Sequence, residues 1–97
     1  QYVSLSANEA RQSDLRLYVA DSALVIEWHH AVGADPLWIE YSDMKGSIAF
    51  RQTLPTGALT TAEGRLALPL PDLPKGAYVI ALQSKEGVRA IARLFIP

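Results

Sequence analysis

The sequence predicts an all-β protein, an immunoglobulin-like β-sandwich of about seven antiparallel strands. Three observations support this prediction. Apolar and polar residues alternate with a period of two in several short segments, turn-forming residues separate those segments, and no helical spacing extends beyond residues 7–14. The chain has 97 residues, which is enough for one hydrophobic core. We expect a folded domain over residues 15–97, preceded by a lead-in or linker over residues 1–14 that could add a further strand.

Each expected strand is a short run of alternating or fully apolar residues. The candidates are residues 2–6 and 15–19, which are the weaker ones, and residues 24–29, 37–42, 47–53, 64–70, 77–82 and 88–96. Residues 37–42 and 47–53 are separated by a short turn, so they should pair as a hairpin. Within the second strand of this hairpin, Ile48 and Phe50 should share one face, with Arg51 on the other.

Glycine, proline and aspartate mark three turns, at residues 43–46, 72–76 and 85–87. Gly46 in the first of these turns can adopt a positive φ at little steric cost. Pro69 has no N–H group to donate to a sheet ladder. We therefore expect the strand that contains Pro69 to lie at the edge of a sheet.

The composition excludes several classes of function. The chain has 9 basic and 10 acidic residues and a net charge of -1, without a basic run, so no nucleic-acid partner is expected. The absence of cysteine excludes disulfides and thiolate metal sites. No apolar run approaches the ~20 residues of a membrane-spanning helix. The first residues lack the basic and apolar regions of a signal peptide, so we expect an excised or processed segment whose export signal lies upstream.

The adjacent histidines His29 and His30 are the strongest candidates for metal ligands, and they are weak ones. Neighbouring side chains of a strand point to opposite faces, so both could bind one metal only with a bend and a third ligand such as Asp35. The simpler interpretation places them half exposed at a strand end. No Gly-x-Ser-x-Gly elbow or buried acid–base pair is recognisable. We therefore predict no catalytic residue, no metal site and no cofactor.

The aromatic residues offer an alternative function, carbohydrate binding. Trp28 and Tyr78 alternate with aliphatic residues and should pack in the core. Trp38 shares a face with Glu40 and Ser42, so its ring should be the more exposed one. An exposed tryptophan of this kind is a feature of sugar-binding accessory modules of secreted enzymes, although one ring alone forms a small platform.

Two segments and a final turn together resemble a known family. The first segment reads Ile-Glu-Tyr-Ser-Asp-Met-Lys-Gly over residues 39–46 and continues as Ser-Ile-Ala-Phe. It is similar to the I-x-D-x-x-G-x-x-V hairpin of the C-terminal sorting domains of type IX secretion. The second segment reads Leu-Pro-Lys-Gly-Ala-Tyr-Val-Ile over residues 73–80, which is similar to the L-P-x-G-x-Y-x-V segment of that family. Gly87 and a closing strand that contains Arg93 complete the likeness.

This resemblance implies a non-catalytic address label at the end of a larger protein. The parent protein would cross the periplasm and reach the cell surface, the outer membrane or the medium. The partners implied are the outer-membrane translocon, shuttle or sortase proteins of the pathway and the upstream domains of the parent. The recognition residues implied are Asp43, Gly46, Leu73, Pro74, Gly76, Tyr78, Gly87, Arg89 and Arg93.

The chain departs from the family at both ends. Tyr18-Val19-Ala20-Asp21 stands where the family has Y-P-N-P, and the terminus lacks the usual lysine. We therefore expect a divergent member, with the hypothesis that it is retained uncleaved in a surface attachment complex. The last strand, residues 88–96, offers an edge for strand addition with Arg89 and Arg93 on one face, or these arginines are simply solvated. The alternative function is that of an immunoglobulin- or fibronectin-like accessory or carbohydrate-binding module.

Overall fold

The computed structural model describes residues 3–6, 15–32, 36–55 and 57–97. This part of the chain contains eight strands and no helix. The strands are β1 (Val3–Ser6), β2 (Leu15–Ala20), β3 (Ala23–Trp28), β4 (Leu37–Asp43), β5 (Ile48–Thr53), β6 (Gly64–Pro69), β7 (Gly76–Ser84) and β8 (Gly87–Ile96). Both of the weaker candidates are thus strands, β1 and β2, and residues 7–14, to which helical spacing was confined, lie outside the described residues.

The strands form two antiparallel sheets that pack face to face. One sheet has five strands in the order β1-β8-β7-β4-β5, and the other has three in the order β2-β3-β6. All strand pairs are antiparallel. The predicted all-β sandwich is therefore confirmed. Because one sheet has two strands more than the other, part of the larger sheet extends beyond its partner.

The hydrophobic core lies between the two sheets. It is formed by the apolar residues whose alternation with polar residues predicted the strands. Leu24 and Ile26 of the smaller sheet and Ile39, Ile80 and Leu82 of the larger one are fully buried. Each of these five residues faces inward with a more exposed neighbour on either side, except in β3, where Val25 is also buried. This arrangement explains why β3 reads as a nearly continuous apolar run.

Trp28 packs in the core, as its alternation with aliphatic residues predicted. Its ring is 4% exposed, and its Nε1 donates a hydrogen bond to the Thr61 carbonyl at 3.1 Å. Gly64 lies directly opposite it in β6. A Cβ on Gly64 would lie 2.5 Å from Cζ2 of Trp28, so only glycine leaves room for the ring.

The two predictions about sheet edges have different outcomes. The strand that contains Pro69, β6, is an edge strand of the three-stranded sheet, as predicted. The prediction that β8 offers an open edge is wrong over its second half. There, β1 pairs with β8 and places Ser4 opposite Leu94 and Ser6 opposite Arg93. The sequence could not show this because strand order depends on the tertiary fold.

The predicted β4–β5 hairpin is confirmed, but its side-chain pattern differs from the prediction. Tyr41 pairs with Phe50 and Ser42 pairs with Ile48, so Ala49 is an extra residue in a bulge. Cross-strand partners share a face, and consecutive residues of β4 face opposite sides. Ile48 and Phe50 therefore lie on opposite faces, and the prediction that they share one is wrong.

Candidate functional site

The two segments that carry the family resemblance meet at one end of the five-stranded sheet. β4 pairs with β7 so that Asp43, at the end of β4, lies opposite Tyr78, near the start of β7. Between the turn after Asp43 and the segment leading into Tyr78 is an open recess of about 390 Å³. Met44, Lys45 and Lys75 contribute to its lining. We call this the motif recess.

Asp43 organises the turn on one side of the motif recess. Its Oδ1 accepts hydrogen bonds from the backbone N–H groups of Lys45 and Ser47, each at 2.9 Å. Its backbone N–H donates to the Ser47 carbonyl, and its carbonyl accepts from Gly46, which has a φ of 90°. The aspartate and the glycine are thus required by the geometry of the turn.

Tyr78 organises the other side through a tyrosine corner, a device of immunoglobulin-like sandwiches at the start of the equivalent strand. Its ring is buried, and its hydroxyl donates to the Pro74 carbonyl at 2.6 Å. Gly76 between them has a φ of 143°, which an L side chain rarely adopts. Leu73 packs against the core. Each fixed position of the L-P-x-G-x-Y segment thus has a structural role in addition to the one that the resemblance implies.

The surface of the motif recess is suited to binding. Lys45 and Lys75 are exposed and give it two positive charges, while Met44 is 62% exposed and adds an apolar contact. The Asp43 oxygen and the Tyr78 hydroxyl already bond to the backbone. No poised acid, base or nucleophile is formed by these described groups, whereas a partner with carboxylate and apolar groups would find complementary chemistry.

The remaining predicted recognition residues are divided between the two ends of the sheet. Arg93 is exposed and pairs with Val79, next to Tyr78. Gly87 pairs with Ser84 at the far end of β7, about 26 Å from the motif recess at ~3.3 Å per residue. Arg89 is the extra residue of a bulge near that end. The structure thus brings Asp43, Pro74, Gly76 and Tyr78 together in the lining of the motif recess. Gly46 lies in the adjoining turn and Leu73 against the core, whereas Gly87 and Arg89 lie at the far end of the sheet.

A polar cluster centred on Glu40 covers the outer face of the larger sheet. Glu40 accepts hydrogen bonds from Trp38 Nε1 at 3.2 Å and from Gln83 Nε2 at 2.8 Å. The Arg51 guanidinium lies 5.1 Å from the centre of the Trp38 ring, and its Nε is 3.8 Å from a Glu40 oxygen. The Trp38 ring is therefore half-buried beneath Arg51, and Trp38 is more exposed than the buried Trp28 and Tyr78, as predicted.

A similar cluster centred on Glu27 covers the outer face of the smaller sheet. The Tyr18 hydroxyl donates a hydrogen bond to a Glu27 oxygen at 2.5 Å. The guanidinium groups of Arg16 and Arg65 lie 3.5 Å and 3.6 Å from the Glu27 carboxylate oxygens. Arg16 also lies over the Tyr18 ring. Neither cluster was predicted from the sequence, because the members of each come from three adjacent strands and only the strand register brings them together.

The histidine pair lies where the simpler interpretation placed it. His29 and His30 follow β3 and are both exposed. In residues 3–6, 15–32, 36–55 and 57–97, no three His, Cys, Asp or Glu side chains are arranged to hold a metal ion. Asp35, the third ligand that such a site would need, lies outside these ranges.

Comparison with known proteins identifies the fold. No protein-family model and no curated protein sequence matches the chain. Among solved structures, a DUF3244 family protein with an immunoglobulin-like β-sandwich fold from Bacteroides vulgatus superposes with a TM-score of 0.63. The match covers 100% of this chain and 99% of that one, at 10% sequence identity. The fold is an immunoglobulin-like β-sandwich.

The likeness at this level of identity concerns the fold alone, so the resemblance to sorting domains stays a prediction. Within the described part of the immunoglobulin-like sandwich, no helix has the length and apolar character needed to cross a membrane.

Proposed function

We propose that this immunoglobulin-like domain is a non-catalytic signal that directs its parent protein through type IX secretion to the cell surface. The observation that carries the proposal is the motif recess. Two segments about thirty residues apart in the chain, each similar to a motif of the sorting family, form one surface there. Such convergence suits recognition by a single partner protein.

The chemistry of the motif recess supports a binding role over a catalytic one. Asp43 and Tyr78 are two groups of the recess that could act as base or acid, and both bond to backbone groups that the fold needs. Lys45 and Lys75 project at its rim, where their charges can guide a partner with acidic groups.

The partners proposed are the shuttle, translocon or sortase components of the pathway. The domain would be folded in the periplasm and then carried to the surface with its parent. The departures at both ends of the chain motivate the further hypothesis that the domain is retained uncleaved in a surface attachment complex. Mass spectrometry of the surface-exposed parent protein tests it, because a mature protein that lacks the domain would contradict retention.

A reporter fusion tests the proposed function. We would attach residues 1–97 to the end of a periplasmic reporter in a bacterium with type IX secretion and measure the reporter at the surface. Truncation after Lys85 removes β8, a central strand, so loss of delivery would not separate recognition from unfolding. The sharper variants are Lys45→Glu and Lys75→Glu, each at an exposed position of the motif recess.

Lys85→Glu serves as the matched control, since it reverses an exposed lysine in the turn at the opposite end of β7. We expect surface delivery of the wild type and the control and reduced delivery of the two recess variants. A reporter that remains in the periplasm even with the wild-type domain would contradict the proposal.

The second candidate function is that of a carbohydrate-binding accessory module. The Glu40 cluster favours it, because Trp38, Glu40 and Gln83 place an aromatic ring beside polar groups on an open sheet face. Arg51 covers the ring and would have to move for a sugar to stack there. Binding to a panel of polysaccharides, measured for the wild type and Trp38→Ala, tests this candidate. Binding that Trp38→Ala abolishes would support it, and binding to none of the panel would contradict it.

A further inference from the structure

The outer edge of β5 is an open template for another strand. β5 is the last strand of the five-stranded sheet, and its far side pairs with no strand of the described residues. The Leu54 N–H donates to the Leu37 carbonyl at 2.9 Å. Because hydrogen-bonding direction alternates along an antiparallel strand, the backbone groups of Phe50 and Gln52 also face β4. Those of Arg51 and Thr53 therefore face outward.

This edge carries only part of the protection that sheet edges commonly have, because β5 contains a bulge at Ala49 but no lysine and no proline. Proteins commonly protect an edge with lysine, proline, a bulge or a very short strand. β6 carries Pro69, and β1 is short and irregular. In β5, Arg51 is the one charged residue, and it is held over Trp38 and beside Glu40. The bulge at Ala49 limits the regular part of the edge to residues 50–53.

β5 also exposes two large apolar side chains, one on each face of the sheet. Ile48 on the outer face is 56% exposed, and Phe50 on the inner face is 38% exposed, although Phe50 lies edge-to-face against the buried Tyr41 ring. The smaller sheet leaves part of Phe50 uncovered. A strand added along residues 50–53 would extend the sheet and shield Phe50 from water.

We propose that β5 pairs with β5 of a second copy of this chain, antiparallel about a twofold axis through Gln52. The two five-stranded sheets would then form one continuous ten-stranded sheet. In this register Arg51 of each copy lies opposite Thr53 of the other, and their outward backbone groups exchange hydrogen bonds in both directions. Phe50 lies opposite Leu54 of the second copy.

The chemistry of the edge selects this register over the others. A pairing of Arg51 with Arg51 would place two guanidinium groups directly opposite each other, which is destabilising. A pairing of Thr53 with Thr53 would place Arg51 opposite Pro55, which has no N–H group. A pairing of Arg51 with Ala49 would involve the bulge. The Arg51–Thr53 register avoids all three problems and is self-complementary, as a twofold interface requires.

Sedimentation velocity over a concentration series tests the proposal, and we expect a reversible monomer–dimer equilibrium. Thr53→Pro removes the outward N–H group of residue 53 and leaves the hydrogen bonds between β5 and β4 intact. It should therefore raise the dissociation constant of the dimer on the order of tenfold or more. Ala67→Pro is the matched control. Ala67 is exposed on the edge strand β6, two residues from the native Pro69, so its own N–H also faces away from β3. The control should dimerise as the wild type does.

A disulfide provides a second test that does not depend on a proline variant. The chain has no cysteine, and Gln52 would face Gln52 of the second copy in a non-hydrogen-bonded pair, with Cα atoms ~4.5 Å apart. Gln52→Cys should therefore form a disulfide-linked dimer under mild oxidation, whereas Ala67→Cys should not.

The proposal is overturned by a wild type that stays monomeric at every concentration, by a dimer that Thr53→Pro does not weaken, or by equal cross-linking of the two cysteine variants. If the chain stays monomeric and Thr53→Pro lowers surface delivery of the reporter fusion, the edge pairs with a strand of another protein. That outcome also rejects pairing with a second copy of this chain. These outcomes are distinct from failure of the proposed sorting function, which the recess variants test.

Discussion

The hydroxyl of Tyr78 has a structural role that a single substitution can measure. Tyr78→Phe keeps the buried ring and removes the bond to the Pro74 carbonyl. We expect the free energy of unfolding to fall by about 1–3 kcal/mol, because the carbonyl loses its partner at a part-buried site. Urea unfolding of both proteins measures the change. Tyr18→Phe is the control, with a smaller loss expected since Arg16 and Arg65 still pair with Glu27. Equal losses in both variants would contradict the special role of the corner.

Gly64 is needed for a different reason, the close approach of the Trp28 ring. In Gly64→Ala the new Cβ would lie 2.5 Å from Cζ2 of Trp28, so ring or strand must shift. We expect a loss of about 1–3 kcal/mol, typical of overpacking. Thermal unfolding would measure it in a double-mutant cycle with Trp28→Leu. In the Trp28→Leu background the alanine should cost much less, and an unchanged cost there would show that the clash is not its cause.

The turn that Asp43 organises fixes the register of a whole element, the β4–β5 hairpin. Asp43→Ala removes the acceptor of two backbone N–H groups, and we expect a loss of about 1 kcal/mol because both bonds are exposed. Asp43→Asn retains an acceptor oxygen and should remain close to the wild type. Chemical denaturation of the three proteins provides the comparison. An Asn variant as unstable as the Ala variant would indicate that the negative charge matters more than the acceptor.

The elements also show what a sequence can and cannot predict. The alternation of residues with a period of two predicted the strands of the sandwich and the β4–β5 hairpin, because that period reflects burial on one face. The faces of Ile48 and Phe50 were predicted wrongly, since a bulge adds one residue without changing the composition. An open edge was predicted along the whole of β8, whose second half pairs with β1, because strand order depends on packing between distant segments. The motif residues were named from the sequence, but their meeting in one recess required the pairing of Asp43 with Tyr78.

At the scale of the whole molecule, the unequal sizes of the two sheets determine where the surface is exposed. The inward-facing side chains of β4 and β7 belong to the buried core, whereas five of the six residues of β5 are exposed. Tyr41 is therefore 1% exposed, and its cross-strand partner Phe50 is 38% exposed. On the opposite side of the larger sheet β1 covers part of β8, and β2 packs against both of these strands. Within the described residues, β1 therefore closes one side of the sandwich, and the other side ends at the unpaired edge of β5.

The N-terminal strand is what closes that side, which leads to a prediction about residues 1–14. A chain of residues 15–97 should still fold, because it contains every buried core residue that the structure describes, but it should unfold at a lower temperature than the full chain. Its exchange of backbone amide hydrogens should be faster at residues 93–95, whose neighbouring strand is lost. Exchange at β4, which β1 does not touch, provides the internal control. Equal melting temperatures and equal exchange in the two chains would show that β1 adds nothing to the fold. The expected result would instead make the N-terminal segment part of the sandwich and leave β5 as the open edge of its larger sheet.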